Sequence, residues 1–299
     1  MELVVDISER GCRLSIDCER LYLARGDEET AVIPLDDIAA LLLSESAVSM
    51  TGSVLAGLAE RGVAVVSCDS HYLPVGVMQP MVACHNQTGI LAGQVSAGKV
   101  AQKRLWQLLV RQKIRHQAAI LEALSLPAAD LKAIIQKVSS GDTRNLEGYA
   151  SRLYWQRLAL FRVRERNADD ANRLFNYAYA VIFAATARAV CAAGLHPGFG
   201  LRHHNQYNPF CLASDLMEPF RGMADHAVIS WLKNHDAGTA VTTAAKRFIL
   251  SNLLSCRVTV GERRETIFPA LTRSAVSLRN CLLDNRHDLL LPDFIPEKP

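Results

Sequence analysis

The sequence predicts an α+β multidomain protein. A small β-rich N-terminal domain with one helix precedes a larger all-α C-terminal domain. Three observations carry this expectation. Short alternating or β-branched runs fill residues 1–78, and helical periodicity takes over from Ala97. The charges divide along the same line. Residues 1–70 hold 5 basic and 13 acidic side chains, a net of −8, whereas residues 71–299 hold 28 basic and 17 acidic, a net of +11.

The first part reads as "LVVDI", "CRLSID", "RLYLAR" and "TAVIPL", strands parted by the polar clusters "SERG" and "GDEE". The segment "TGSVLAGLAERG" predicts one helix, capped by Thr51 and closed by Gly62. Two further strands, "VAVVSC" and "YLPVGVM", complete residues 1–78. Residues 79–96, with Pro80, Gly89 and Gly93, read as a linker. Beyond it, Trp106, Val110, Ile114, Ala118 and Leu121 recur at helical spacing. A second helix starts near Gly148, with Leu153, Trp155, Leu158 and Phe161 among its apolar residues. Others are expected at 171–193, ending at Gly194, and at 209–233, 241–254 and 263–283, with "RVTVGER" as a brief extended excursion.

Composition excludes several classes. The start "MELVVDISER" lacks a basic stretch followed by an apolar one, so no signal peptide is expected. The apolar run Tyr177 to Ala187 is shorter than the roughly 20 residues that span a bilayer. No membrane partner is expected. The eight cysteines form no CxxC pair, which argues against a zinc ribbon or a disulfide framework and for reduced thiols in the cytoplasm. Between Asp69 and Glu122 no acid occurs, while Lys99, Lys103, Arg104, Arg111, Lys113 and Arg115 do. Solvated helices usually interleave acids with their bases, so this stretch points to a polyanion partner.

The stretch "RHHNQYNPFCLASDLMEPFR", Arg202 to Arg221, is the candidate for chemistry. Asn208 suits an N-cap and Pro209 the first helical position. Asp215 and Glu218 stand i,i+3 on one face, and Pro219 should break the helix behind them. His203, from the entering loop, can converge with these acids. Histidine with carboxylates suits Mg²⁺ or Mn²⁺. Glu147, in "NLEGYASRLYW", is a second carboxylate near Arg152, Tyr154 and Trp155, a mixture suited to nucleic acid. Each residue also has a plain reading. Glu218 could pair with Arg221, Glu147 could be a first-turn acid favoured by the helix dipole, and the histidines could be solvated.

"GLRHHNQYNPFCLASDLMEPFR" closely resembles the signature of the CRISPR-associated integrase of spacer acquisition, the first-numbered Cas protein. "NLEGYASRLYW" and "NRLFNYAYAVI" are similar to two further blocks of that family, in the same order, and "HHNQYNPF" resembles its type II branch. The resemblance implies a metal-dependent DNA endonuclease and integrase whose helical domain, residues 97–299, is catalytic. By that resemblance Glu147, His203 and Glu218 are catalytic metal ligands, with Asp215 a further candidate. It implies Mg²⁺ or Mn²⁺ as cofactor and double-stranded DNA, spacer fragment and CRISPR array, as partner. It also implies a homodimer built on residues 1–78 and bridged by the small second-numbered Cas protein. Lys99, Lys103, Arg111, Arg115, Arg152, Arg157, Arg221 and Lys246 are candidate phosphate contacts. A nuclease without integrase activity and a non-catalytic DNA scaffold fit the same residues.

Overall fold

The computed structural model describes residues 3–26, 28–70, 72, 74–78, 86–158, 171–235 and 241–298. Two sheets form the N-terminal part. In one, β2 (Cys12–Asp17), β3 (Arg20–Arg25) and β4 (Glu28–Pro34) pair as an antiparallel meander, and β6 (Ser49–Met50) joins β2 in parallel. In the other, β1 (Leu3–Ile7), β5 (Ile38–Leu43) and β7 (Ala64–Cys68) run parallel, with β8 (Pro74–Met78) antiparallel at the edge.

That second sheet is apolar on both faces, as its sequence requires. On one side Val5, Ile7, Leu41 and Val65 pack with Leu14, Leu21 and helix α1 (Gly52–Glu60). On the other, Val4, Ala40, Leu42 and Val66 join the core of the helical part. The period-2 alternation of a strand thus serves two cores at once. The helix expected from Thr51 to Gly62 is α1, with Thr51 at its N-cap and Gly62 at φ +70° just past its end.

The helical part comprises α2 (Gln87–Ser96), α3 (Lys99–Ala123), α4 (Ala129–Lys137), α5 (Leu146–Arg157), α6 (Ala171–Ala192), α7 (Cys211–Leu216), α8 (Arg221–Leu232), α9 (Thr243–Ser255) and α10 (Ile267–Leu283). Residues 87–96, read as linker from their glycines, are the helix α2. Gly93 there lies against α10, where a Cβ would meet the Leu283 side chain at 2.1 Å. Phe161 and the linker residues 79–85 lie outside the described residues. The region expected to be all-α also holds a small sheet, β10-β9-β11, from Arg263–Thr266, Arg257–Val260 and Pro292–Asp293. Arg257–Val260 is the expected extended excursion, whereas Arg263–Thr266, expected as the start of a helix over 263–283, pairs with it as a strand, and α10 begins only at Ile267.

Helix α6 is the central post. It packs against β5 and β7 on one side and α8, α9 and α10 on others. It is long and apolar enough to cross a membrane, but 78% of its apolar window is buried inside the protein, as a core helix is. The seven cysteines among the described residues are free thiols.

Candidate metal centre

The start of α5, the loop before α7 and the turn that ends α7 meet on the inner face of α3. Helix α5 supplies Glu147. Its start is fixed by Asp142, a buried residue at φ +44° whose two carboxylate oxygens accept the N–H groups of Leu146 and Glu147, both at 2.9 Å. These are orphan donors of a first helical turn, so Asp142 sets where Glu147 emerges.

The loop before α7 supplies His203. Gly200 allows its tight path: a Cβ there would lie 2.4 Å from the His203 carbonyl and 2.9 Å from Asp215 Oδ2. Asp215, on α7, is fully buried. Its Oδ2 accepts the backbone N–H of Leu201 at 2.6 Å and of Arg202 at 3.0 Å, and its Oδ1 lies 2.5 Å from His203 Nδ1. The carboxylate therefore requires the proton on Nδ1, and Nε2 is left for another partner. Trp106 of α3 sits edge-on to the imidazole, with ring centroids 5.7 Å apart. The hydrogen bond to Asp215 raises the pKa of His203, and the fields of Glu218 and Glu147 act in the same direction.

Glu218 stands where α7 ends. Pro219 interrupts the helix as expected: a 3₁₀ turn, Glu218–Phe220, separates α7 from α8. The start differs from expectation. Phe210, not Asn208, is the N-cap of α7, and Asn208 instead accepts the Phe210 N–H at 2.9 Å in a turn of its own. The break is clamped from α3, where His116 Nδ1 donates to the Pro219 carbonyl at 2.7 Å.

Glu147 and Glu218 share one cation. Lys113 Nζ hydrogen-bonds Glu147 Oε1 and lies 2.5 Å from Glu218 Oε2. Arg221 Nε lies 2.9 Å from Glu218 Oε1, with its guanidinium over the Tyr179 ring. Glu218 is thus held between two cations, Oε2 against the Lys113 ammonium and Oε1 against the Arg221 guanidinium. Burial alone would raise the Glu218 carboxyl. Arg221 and Lys113 outweigh it and hold the group at about 2. Behind this pair, Asp225 accepts the Tyr154 hydroxyl at 3.0 Å and that of Tyr179, while burial raises its carboxyl to about 6.

Among the described residues, no three His, Cys, Asp or Glu side chains stand together as a ready-made metal cluster. The donor set nonetheless fits a hard divalent ion. Two carboxylates already share a cation, and the His203 imidazole, whose Nε2 is unclaimed, feels the field of both.

The structure sorts the candidate phosphate contacts. Lys99, Lys103, Arg115 and Arg152 are exposed. Arg111 donates to the Val138 carbonyl at 2.9 Å, Arg157 is paired through both terminal nitrogens to Asp130, and Arg221 belongs to the Glu218 pair. Lys246 is corrected outright. It is 6% exposed, lies 3.5 Å from Asp6 Oδ2, and sits over the rings of Tyr72 and Tyr177. Lys113 was legible only as one base in an acid-free stretch. Its better signal is position: it falls inside the buried stripe that runs through Val110, Ile114 and Gln117.

Residues 5–254 match the family model described as CRISPR associated protein Cas1. The chain belongs to the Cas1 family. It is 32% identical over 293 residues to a CRISPR-associated endonuclease Cas1 of Neisseria meningitidis, covering 97% of this chain and 96% of that one. Its fold is that of a casposase bound to an integration product, with TM-score 0.80 at 20% identity over 100% of this chain and 94% of the other. It also matches part of a Cas6-RT-Cas1–Cas2 complex, with TM-score 0.76 at 18% identity, over 97% of this chain and 36% of that one. In this Cas1-family chain, the blocks that hold Glu147 and His203 to Glu218 meet against α3, and the third, residues 172–182, is part of α6.

Proposed function

We propose that this chain is the metal-dependent DNA endonuclease and integrase of CRISPR spacer acquisition, with Glu147, His203 and Glu218 as the ligands of Mg²⁺ or Mn²⁺. One observation carries the reading: Glu147 and Glu218, 71 residues apart, converge on one positive charge beside an oriented imidazole. A bound ion would offset charge on the phosphoryl oxygens of DNA and activate the attacking oxygen. Asp215 holds His203 through Nδ1 and directs Nε2 to the site, so it is a positioning residue rather than a ligand. Exposed Lys99, Lys103, Arg115 and Arg152 bind the duplex through its phosphates, which position it without reading its bases.

Two outcomes are open to one site. Water as attacker gives cleavage, and the endonuclease name of the Neisseria relative favours that step. A DNA 3′-hydroxyl as attacker gives strand transfer, which the integration product held by the casposase favours. The Cas1–Cas2 assembly that shares this fold supports a small Cas2 partner. The acidic residues 1–78 suit a contact between two copies better than a contact with DNA.

The test is a strand-transfer assay with a labelled fragment bearing a free 3′-hydroxyl, a supercoiled CRISPR target, Mn²⁺ and the Cas2 partner. Wild type inserts label, and Glu147→Ala, His203→Ala and Glu218→Ala each lower insertion at least a hundredfold. Nicking without insertion by wild type would leave a nuclease alone, and full activity of all three variants would remove the site.

A further inference from the structure

The place where a divalent ion would meet both glutamates already holds a cation of the chain itself. Lys113 is 11% exposed at its side chain and touches Glu147 Oε1 and Glu218 Oε2, the facing oxygens of the two acids. With Arg221 on the other oxygen of Glu218, two acids are balanced by two bases. A divalent ion added to that arrangement would sit against an ammonium in a largely buried site, where like charges repel strongly. The ammonium therefore has to leave before the oxygens are shared with an ion.

The structure offers it somewhere to go. Next to the glutamates lies a cavity of about 40 Å³ whose lining includes Lys113, Gln117, Ser151, Tyr179 and Asp225 and also the cationic Arg221. That volume holds about one water-sized group, and an ammonium is such a group. Gln117 follows Lys113 by one turn, so the two side chains are neighbours on α3. Its Nε2 donates to Ser151 at 3.4 Å, while its Oε1 is a buried acceptor without a donor. The cavity thus presents the unclaimed Gln117 oxygen to the lysine beside it, with the Asp225 carboxylate, already bonded by two tyrosine hydroxyls, offsetting the charge of Arg221.

We propose that Lys113 is a two-position counter-ion. In the metal-free protein it bridges Glu147 and Glu218, and on metal binding it withdraws into the cavity beside Gln117 and Asp225. This rests on the assignment of Glu147 and Glu218 as ligands. Lysine suits the task because its compact charge rides on a flexible stem, which a planar guanidinium does not match. The device keeps the buried Glu218 and the partly exposed Glu147 from facing each other unpaired when no ion is present, and it sets a threshold of ion concentration for the site.

The test is the affinity of the full-length protein for Mn²⁺ by calorimetry, with melting curves in EDTA and in Mn²⁺. Lys113→Met removes the charge and keeps the length. It binds Mn²⁺ at least tenfold more tightly than wild type, melts lower in EDTA, and regains most of that loss in Mn²⁺. Gln117→Leu, which removes the acceptor in the cavity, weakens Mn²⁺ binding severalfold in wild type and not in Lys113→Met. Unchanged or weaker Mn²⁺ binding by Lys113→Met overturns the proposal, as does an equal effect of Gln117→Leu in both backgrounds. Failure of the underlying ligand assignment reads differently: Glu147→Gln and Glu218→Gln would then bind Mn²⁺ as wild type does.

Discussion

At the scale of single residues, Asp215 is where spacing and hydrogen bonding point to different tasks, ligand and positioning residue. Sequence spacing puts it on one face with Glu218, which makes it look like a second ligand. In the fold its two oxygens are spent on His203 Nδ1 and on the N–H groups of Leu201 and Arg202. Asp215→Asn would turn an amide N–H toward either the two backbone donors or the imidazole N–H. A buried donor left without an acceptor costs about 1–3 kcal/mol. A partner that orients a metal-binding histidine is worth about 10–100-fold in metal affinity. The expected result is a Mn²⁺ affinity lowered within that range. The double variant with His203→Ala should be no weaker than His203→Ala alone. Additive losses in that cycle would make Asp215 an independent ligand.

At the scale of elements, α3 is the spine of the site. Trp106, Lys113 and His116 reach respectively His203, the two glutamates and the broken helix after Glu218. His116 is buried, with Nδ1 donating to Pro219 and Nε2 facing two donors, Gln112 Nε2 at 2.9 Å and the Phe294 N–H at 3.3 Å. Its neutral form suits all three partners. Burial accordingly lowers its pKa from 6.5 to about 4. The unfolded chain binds that proton more readily, so stability falls as pH drops from about 6.5 to about 4 and is flat above. Across that interval the loss is about 3 kcal/mol. His116→Gln, compared with wild type by urea unfolding, should flatten this part of the profile. The opposite slope from Asp225 is common to both proteins and cancels. Much of this was legible beforehand: the helical stripe of α3, the break at Pro219, the first-turn place of Glu147 and the closing glycines all follow from local rules. What was not legible has a non-local cause. Lys113 and Lys246 look like surface bases in sequence, and partners 34 and 240 residues away hold them in the interior. Likewise α2, with Gly89 and Gly93 one turn apart, is a helix because α10 and the loop at His196 cover it. Gln94 there donates to the His196 carbonyl at 3.0 Å and accepts its N–H at 2.8 Å.

At the scale of the whole molecule, the two parts are joined rather than tethered. Asp6 points from β1 into the helical side, where Tyr177 donates to it at 3.1 Å and Lys246 of α9 lies 3.5 Å away. Val4, Ala40, Leu42 and Val66 continue the core from the same sheet face. Removing residues 1–78 would uncover α6, so loss of dimers in such a deletion would report unfolding as much as a lost contact surface. Substitution separates the two functions of the basic residues better. Lys246→Ala leaves Asp6 charged and buried beside a hydroxyl alone, and breaking a buried pair costs about 3–5 kcal/mol. Lys103→Ala removes a charge from the exposed side of α3 and should change stability little. Each phosphate contact contributes about 0.9 to the slope of log affinity against log salt on duplex DNA. The expected pattern is crossed. Lys246→Ala melts well below wild type and, at temperatures where it is folded, keeps the wild-type salt slope. Lys103→Ala melts with wild type and loses close to one unit of slope. A salt slope changed by Lys246→Ala and unchanged by Lys103→Ala would move the DNA path from α3 to the seam between the two parts.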